Sequence, residues 1–462
     1  MNLSARGIPR ALARSYDSAM DETLFDLPPT EASPGEPEGR GRPRVQRPQR
    51  DQITLRPTDL ESLLPADHRA RLVWAFVEGL DLAPLYERIR ATEGHAGRPP
   101  IDPAILVSLW LYATLEGIGS ARALDRLCAE HDADRWLAGG VGVNYHTLAA
   151  FRVDHADLLD TLLTQSVAAL IADGHVTLAA VAQDGMRVRA SAGAASFHRR
   201  ATLEAALAAA ETQVAALKAE LDDDPAASSR RIAAARERAA AERVARVRAA
   251  LEALPELEAA KRRNGTPATE ARSSLTDPEA RVMKMADGGD RPAYNAELAT
   301  DTASQVIVGV GLTNAGSDQG QLSPMVGQLE RRYERAPDAV LVDGGFVNLA
   351  EIEALAGSAC GTTLYAPPPT PREPTRDRHA PLPTDAPAVA AWRVRMGTPE
   401  AKQIYKGRAA TAECVTAIAR NRGLRHIPVR GLAKARAILL WFALAHNLLR
   451  ALALRAAAAT AV

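Results

Sequence analysis

Two apolar runs, far apart in the chain, each close on an aspartate followed by glycine: Val181-Ala182-Gln183-Asp184-Gly185 and Ala339-Val340-Leu341-Val342-Asp343-Gly344-Gly345. Short runs of this kind read as buried strands. A carboxylate at the end of a buried strand is rigidly held and partly stripped of water. A third acid, Glu413, stands in a basic, helix-forming segment that runs from Tyr405-Lys406-Gly407-Arg408 to Arg420. Two such strands side by side, with a glutamate from a helix, make a cage of hard oxygen ligands. That cage suits Mg2+ and phosphoryl transfer. One Asp-Gly alone is an ordinary turn former; the order of the three acids and the basic context of the third carry the reading.

The rest of the chain bounds that chemistry. Its 462 residues, 47% of them hydrophobic, accommodate two or three domains with real cores. Cys128, Cys360 and Cys414 lie far apart, so no zinc knuckle or disulfide framework is supported, and a reducing cytoplasm is the expected setting. The longest apolar run, Ala437 to Ala445, is shorter than the roughly 20 residues of a membrane span. No membrane association is therefore expected. Net charge is zero, yet from Arg393 to Val462 there are 13 Lys and Arg against Glu400 and Glu413, a net of +11. A basic face around a lone glutamate is the footprint expected beside a polyanion.

Residues 1–50, rich in Pro, Gly, Arg and Glu, read as a disordered arm, with Arg40-Gly41-Arg42-Pro43-Arg44 able to lie in a minor groove. Residues 51–174 read as a helical DNA-binding domain. Asp102-Pro103 and Ser120 open helices there, and a short helix starting near Asn144 carries Tyr145, His146, Thr147 and Arg152. Those four residues are the candidates for reading DNA in helix-turn-helix fashion. Residues 175–455 read as an α/β catalytic domain with a strand at His175 to Ser191 that pauses at Asp184-Gly185. It is interrupted at 198–264 by an antiparallel helical hairpin with heptad-spaced Leu203, Leu207, Ala210, Val214, Leu217 and Leu221. Residues 367–390 read as a Pro-rich linker. Without the hairpin, the element order is that of a ribonuclease-H-like fold.

These residues resemble the DDE transposases of bacterial insertion sequences with an InsH-like helical N-terminal domain. The resemblance covers about residues 50–455. It rests on Gly97 to Pro103, Tyr145-His146-Thr147 to Phe151-Arg152, Asp184-Gly185, Thr276 to Ala280, Tyr294-Asn295, Asn314 through Asp318, and Val342 to Phe346. The family's C-terminal Tyr, Arg, Glu, Lys pattern is matched by Tyr405, Arg408, Glu413 and Arg420. In two respects the chain departs from the family: four residues instead of three separate Arg408 from Glu413, and Arg420 replaces lysine.

The resemblance implies Asp184, Asp343 and Glu413 as catalytic residues and ligands of two divalent ions, Mg2+ or Mn2+. It implies double-stranded DNA, both element ends and target, as partner, and a homodimer on that DNA. Tyr405, Arg408, Arg420, Arg422 and Arg425 are the expected phosphate contacts. The expected activity is metal-dependent strand cleavage at element ends followed by strand transfer. A structure-specific nuclease of the same fold and a non-catalytic DNA-binding derivative are the alternatives.

Overall fold

The computed structural model describes residues 59–91, 99–223, 230–358, 361–373 and 375–460. The arm expected at 1–50, and Gly97-Arg98 of the Gly97–Pro103 stretch, lie outside the described residues.

Local capping chemistry explains the N-terminal helices. They are α1 (Arg69–Glu78), α2 (Ala83–Tyr86), α3 (Pro103–Leu115), α4 (Ala121–Glu130), α5 (Asp132–Ala138), α6 (Tyr145–Asp154) and α7 (Ala156–Ala172). Asp102 Oδ1 accepts from the Ala104 amide at 2.8 Å and Pro103 takes the first helical position of α3. Ser120 caps α4 and Asn144 caps α6 in the same way. Gly139, with φ of 59°, closes α5 in the left-handed conformation. Helix α3 is buried from Ile105 to Ala113, which makes it the central helix of this region.

The sheet contains β1 (Ala180–Arg189), β4 (Arg281–Lys284), β5 (Asp290–Asp301), β6 (Ile307–Thr313), β7 (Ala339–Leu341) and β8 (Thr363–Tyr365). Its order is β6-β5-β1-β7-β8, with β4 pairing the start of β5 beside β6. Strand β5 is antiparallel to β1, β4 and β6, while β1, β7 and β8 are mutually parallel. Strand β1 does not pause at Asp184-Gly185, as the sequence suggests. It runs on to Arg189, and Asp184 faces Leu298 of β5. What stops is its other neighbour, because β7 pairs with β1 only as far as Ala182 and Leu341.

Between β1 and β5 stand α8 (Arg200–Asp223), α9 (Arg230–Glu252) and α10 (Leu254–Arg263). The two-residue ladder of β2 (Phe197–His198) with β3 (Ser273–Ser274) ties their base. Ion pairs Arg248–Glu211 at 2.6 Å and Arg200–Glu258 at 2.8 Å, with Leu203, Ala250, Leu254 and Ala271 packed beneath, fix α8 antiparallel to the returning helices.

The remaining helices are α11 (Leu322–Tyr333), α12 (Leu349–Gly357), α13 (Pro387–Gly397), α14 (Pro399–Arg408), α15 (Cys414–Asn421) and α16 (Leu432–Thr460). Helix α13 already begins at Pro387, so the last residues of the expected 367–390 linker are helical. Asp385 ties that segment down by accepting from Leu382 N and Arg393 Nε. Helix α16 is 29 residues long, and among the described residues it is the one helix long and apolar enough to cross a membrane; 67% of its apolar window is buried inside the protein. Its polar residues are used there: Asn447 exchanges two hydrogen bonds with Ile307, and His446 meets the Gln305 carbonyl. Asn447 thereby satisfies backbone groups on the edge strand β6. Helix α16 joins the N-terminal helices and the sheet into one core, and a second core lies among α11, α12, α13, β7 and β8.

Candidate active site

The end of β7 opens the space in which the acids stand. Asp184 follows the last β1–β7 pair by two residues, and Asp343 lies two residues beyond the end of β7. Asp343 Oδ1 accepts from the Gly345 amide at 2.7 Å, capping the tight turn Gly344–Phe346. Arg408, the last residue of α14, joins the pair: its Nη2 lies 2.9 Å from Asp184 Oδ1 and 3.6 Å from Asp343 Oδ2. Burial pushes the Asp184 carboxyl up to about 6; Arg408 opposes this, and Asp343 and Asp318 reinforce it.

A second polar cluster lies behind β1, where Gln183, Gly185 and Arg187 alternate with Asp184. Asp318 is held by Arg187 Nη1 at 3.1 Å and by Asn295 Nδ2 at 2.7 Å. Glu297 accepts from the same Asn295 Nδ2 at 2.7 Å and from Gln183 Nε2 at 3.1 Å. Burial pushes Glu297 up to about 8, with Asp318 and Asp184 adding to the shift and Gln183 and Arg187 opposing it. Gly185 is required here. A Cβ on it would sit 2.3 Å from Asp318 Oδ1 and 2.9 Å from Glu297 Oε1, and a Cβ on Gly345 would sit 3.6 Å from Asp318 Oδ2. Asp318 therefore borders both Asp-Gly motifs. Sequence reasoning missed the role of Asp318 and Glu297. The available signal was the period-two spacing of polar residues at 183 and 187 and at 295 and 297 within the two strands.

Glu413 is placed differently. The passage from α14 to α15 is a π-turn, Ala409–Glu413. Residues five apart diverge by roughly 140° around an α-helix; the wider turn draws Arg408 and Glu413 back toward one face. The extra residue noted in the sequence is absorbed here. Thr411 pins the turn by accepting from Gln305 Nε2 at 2.9 Å, and Ala412 packs against Ala182 and Leu341. The Glu413 side chain itself is exposed. Among the described residues no three Asp, Glu, His or Cys side chains are gathered closely enough to hold a metal ion. The structure thus brings Asp184 and Asp343 together through Arg408, while Glu413 is exposed and the three acids do not form the close group expected from the sequence.

The expected DNA contacts separate into two groups. His146 is exposed and stacks on Tyr145 with ring centroids 3.9 Å apart, and Arg122 covers the Tyr145 ring at 5.0 Å. Thr147 is partly engaged, its amide and hydroxyl both bonding Asn144 Oδ1. Arg152 does not present itself to a groove. It is 7% exposed, donates to the Gly119 carbonyl at 2.6 Å and stacks 4.4 Å above Trp110. Tyr405 is half-buried, and burial raises its hydroxyl. Arg420 and Arg425 are exposed, Arg425 Nε donating to the Arg420 carbonyl, while Arg422 is half-buried. The segment after α15 then extends the far end of β1: Arg189 N donates to Arg425 O at 3.1 Å, and Ile427 N donates to Arg189 O at 2.8 Å.

Comparison with known families gives two matches. A transposase domain (DUF772) matches residues 58–154, and a transposase DDE domain matches residues 373–452. The second match contains Arg408 and Glu413; the stretch with Asp184 and Asp343 lies between the two. No curated protein and no solved structure matches the chain.

Proposed function

We propose that this chain, which belongs to the DDE transposases of insertion sequences, cuts and rejoins DNA through Asp184, Asp343 and Glu413. The observation that carries the assignment is the Arg408 guanidinium shared between Asp184 and Asp343, two acids from strands β1 and β7 that are neighbours in the sheet. The strand order, with three antiparallel strands followed by two parallel ones, supports a ribonuclease-H-like reading of the α/β domain.

DDE domains generally use divalent metals, and the donor chemistry fits. Two carboxylates converge on one cationic group, and burial, with smaller contributions from Asp343 and Asp318, disfavours the charged form of Asp184, a cost that a hard cation would offset. Asp184, Asp343 and Glu413 would hold two ions, Mg2+ or Mn2+. When bound, such ions supply activation of the attacking oxygen and neutralisation of the leaving one. The chain's own part is positioning. Arg408 holds the aspartates in register until nucleic acid arrives. The π-turn keeps Glu413 on the Arg408 side of its helix. Arg420 and Arg425 offer charge to the DNA backbone.

The N-terminal helices would recognise element ends through His146 and Thr147, with Arg152 as an internal brace for the recognition helix. The helical insertion 198–264 would support a homodimer on DNA.

The test is incubation of the full chain with its own flanking DNA and Mg2+ or Mn2+, scoring cleaved ends and joined products. Metal-dependent products of both kinds, absent in Asp184→Ala while DNA binding persists, are expected. Cleavage that survives Asp184→Ala overturns the assignment, and cleavage without joining identifies a nuclease.

A further inference from the structure

Where the N-terminal helices meet the chain after α15, two tight turns lie back to back. Gly117 and Gly423 have φ of 73° and 85°, and a Cβ on Gly423 would stand 3.1 Å from the Gly117 carbonyl oxygen. Glycine at both positions allows the left-handed backbone and the close approach. The Gly117–Ser120 turn is thereby set beside Arg422. The two turns border a cavity of about 270 Å3, lined by Gly119, Ser120, Arg152, Arg422, His426 and Phe442 among others.

The cavity collects positive charge without an acid of its own. Arg152 is 7% exposed, and its Nε finds no hydrogen-bond partner; the Nη1 of Arg422 is likewise buried and unpartnered. Among the described residues neither guanidinium has a carboxylate partner. The acid that bears on Arg422, Glu116, is bound to Arg69 at 2.7 Å. Ser120 opens α4, so the positive end of a ten-residue helix borders the same space. Burial disfavours the charge on Arg152 and on Arg422, and an oxyanion in the cavity would offset that cost. Position also favours a nucleic-acid ligand. His426 bridges to Arg189, five residues past Asp184 on β1. At about 3.3 Å per residue that is about 16 Å along the strand, roughly five base pairs of duplex rise.

We propose that this cavity is an anion site that takes one phosphate of the DNA backbone, away from the catalytic acids. The proposal rests on the transposase reading for its source of phosphate; the chemistry it needs is a phosphate oxyanion. The full chain would be melted in inorganic phosphate and in chloride at matched ionic strength, and its duplex DNA affinity followed against salt, for the wild type, Arg422→Gln and Arg422→Lys. Phosphate should raise the melting temperature of the wild type but not of Arg422→Gln. The log–log salt slope for DNA should fall by about one in Arg422→Gln and be retained in Arg422→Lys. An Arg422-dependent phosphate effect with an unchanged DNA slope would assign the site to a free anion and overturn the DNA part. No Arg422 dependence in either measurement would overturn the site and leave Arg152 as a brace on Trp110. Asp184-dependent cleavage is scored separately, so loss of this proposal and loss of the catalytic assignment are distinguishable.

Discussion

Asp184 and Glu413 belong to the same proposed chemistry but are held by different means. Asp184 is over-determined. It sits mid-strand, in register with Leu298 of β5, with Arg408 in front and the buried Asp318–Asn295–Glu297 cluster behind the next residue. Glu413 ends a π-turn, exposed, and two side-chain hydrogen bonds hold the turn that carries it, Gln305 to the Thr411 hydroxyl and Thr416 to the Glu413 carbonyl. A sheet fixes a side chain through many weak restraints at once, whereas a helix irregularity fixes it through few. The sheet acids should therefore be intolerant of small changes around them, and the helix acid adjustable.

The largest effect should come from the sheet side. Gly185→Ala forces a methyl group against Asp318, itself clamped by Arg187 and Asn295. Overpacking of this kind costs about 1–3 kcal/mol. Displacement of the neighbouring Asp184 should lower cleavage by about 100-fold. Urea unfolding and single-turnover cleavage measure the two losses; an unaffected Gly185→Ala would mean the cluster behind β1 restrains nothing.

Loosening the helix side should cost less. Thr411→Val removes the bond from Gln305, worth about 1 kcal/mol. Cleavage should drop by less than in Gly185→Ala and recover partly at high Mn2+ concentration. A loss equal to that of Gly185→Ala would erase the contrast between the two regions.

The smallest effect is a change of slope. Glu297 titrates near 8 in the fold and near its ordinary 4.5 once unfolded, so the folded chain holds a proton that the unfolded chain has released. Stability should fall as pH rises from 4.5 through about 8. In Glu297→Gln, denaturant midpoints measured across that window should decline less steeply. An identical decline would place the titrating group elsewhere.

These contrasts also mark what the sequence could disclose. The caps at Asp102, Ser120 and Asn144 are local chemistry and were readable, as was the heptad stripe of α8. The unbroken pairing of β1 across Asp184-Gly185 was not, because glycine there reads as a turn signal. Its actual cause is Asp318, a residue distant in the chain. The π-turn left only one trace, the additional residue between Arg408 and Glu413. Arg152 reads as a surface residue by type; burial against Trp110 and the Gly119 carbonyl depends on packing that no local pattern encodes. The order of the three acids was legible throughout, whereas the distances between them depend on register and turn type.

The most direct test of a single site built from both regions is a double-mutant comparison of DNA cleavage. Asp184→Asn, Glu413→Gln and the double variant would be measured in Mg2+ under single-turnover conditions, with DNA binding checked for each. Residues that act as one unit are strongly non-additive. Each single variant should lose cleavage by about 1000-fold or more, roughly 4 kcal/mol of barrier, and the double variant should be little worse than either. Near-wild-type cleavage by Glu413→Gln, or losses that multiply in the double variant, would contradict a shared site.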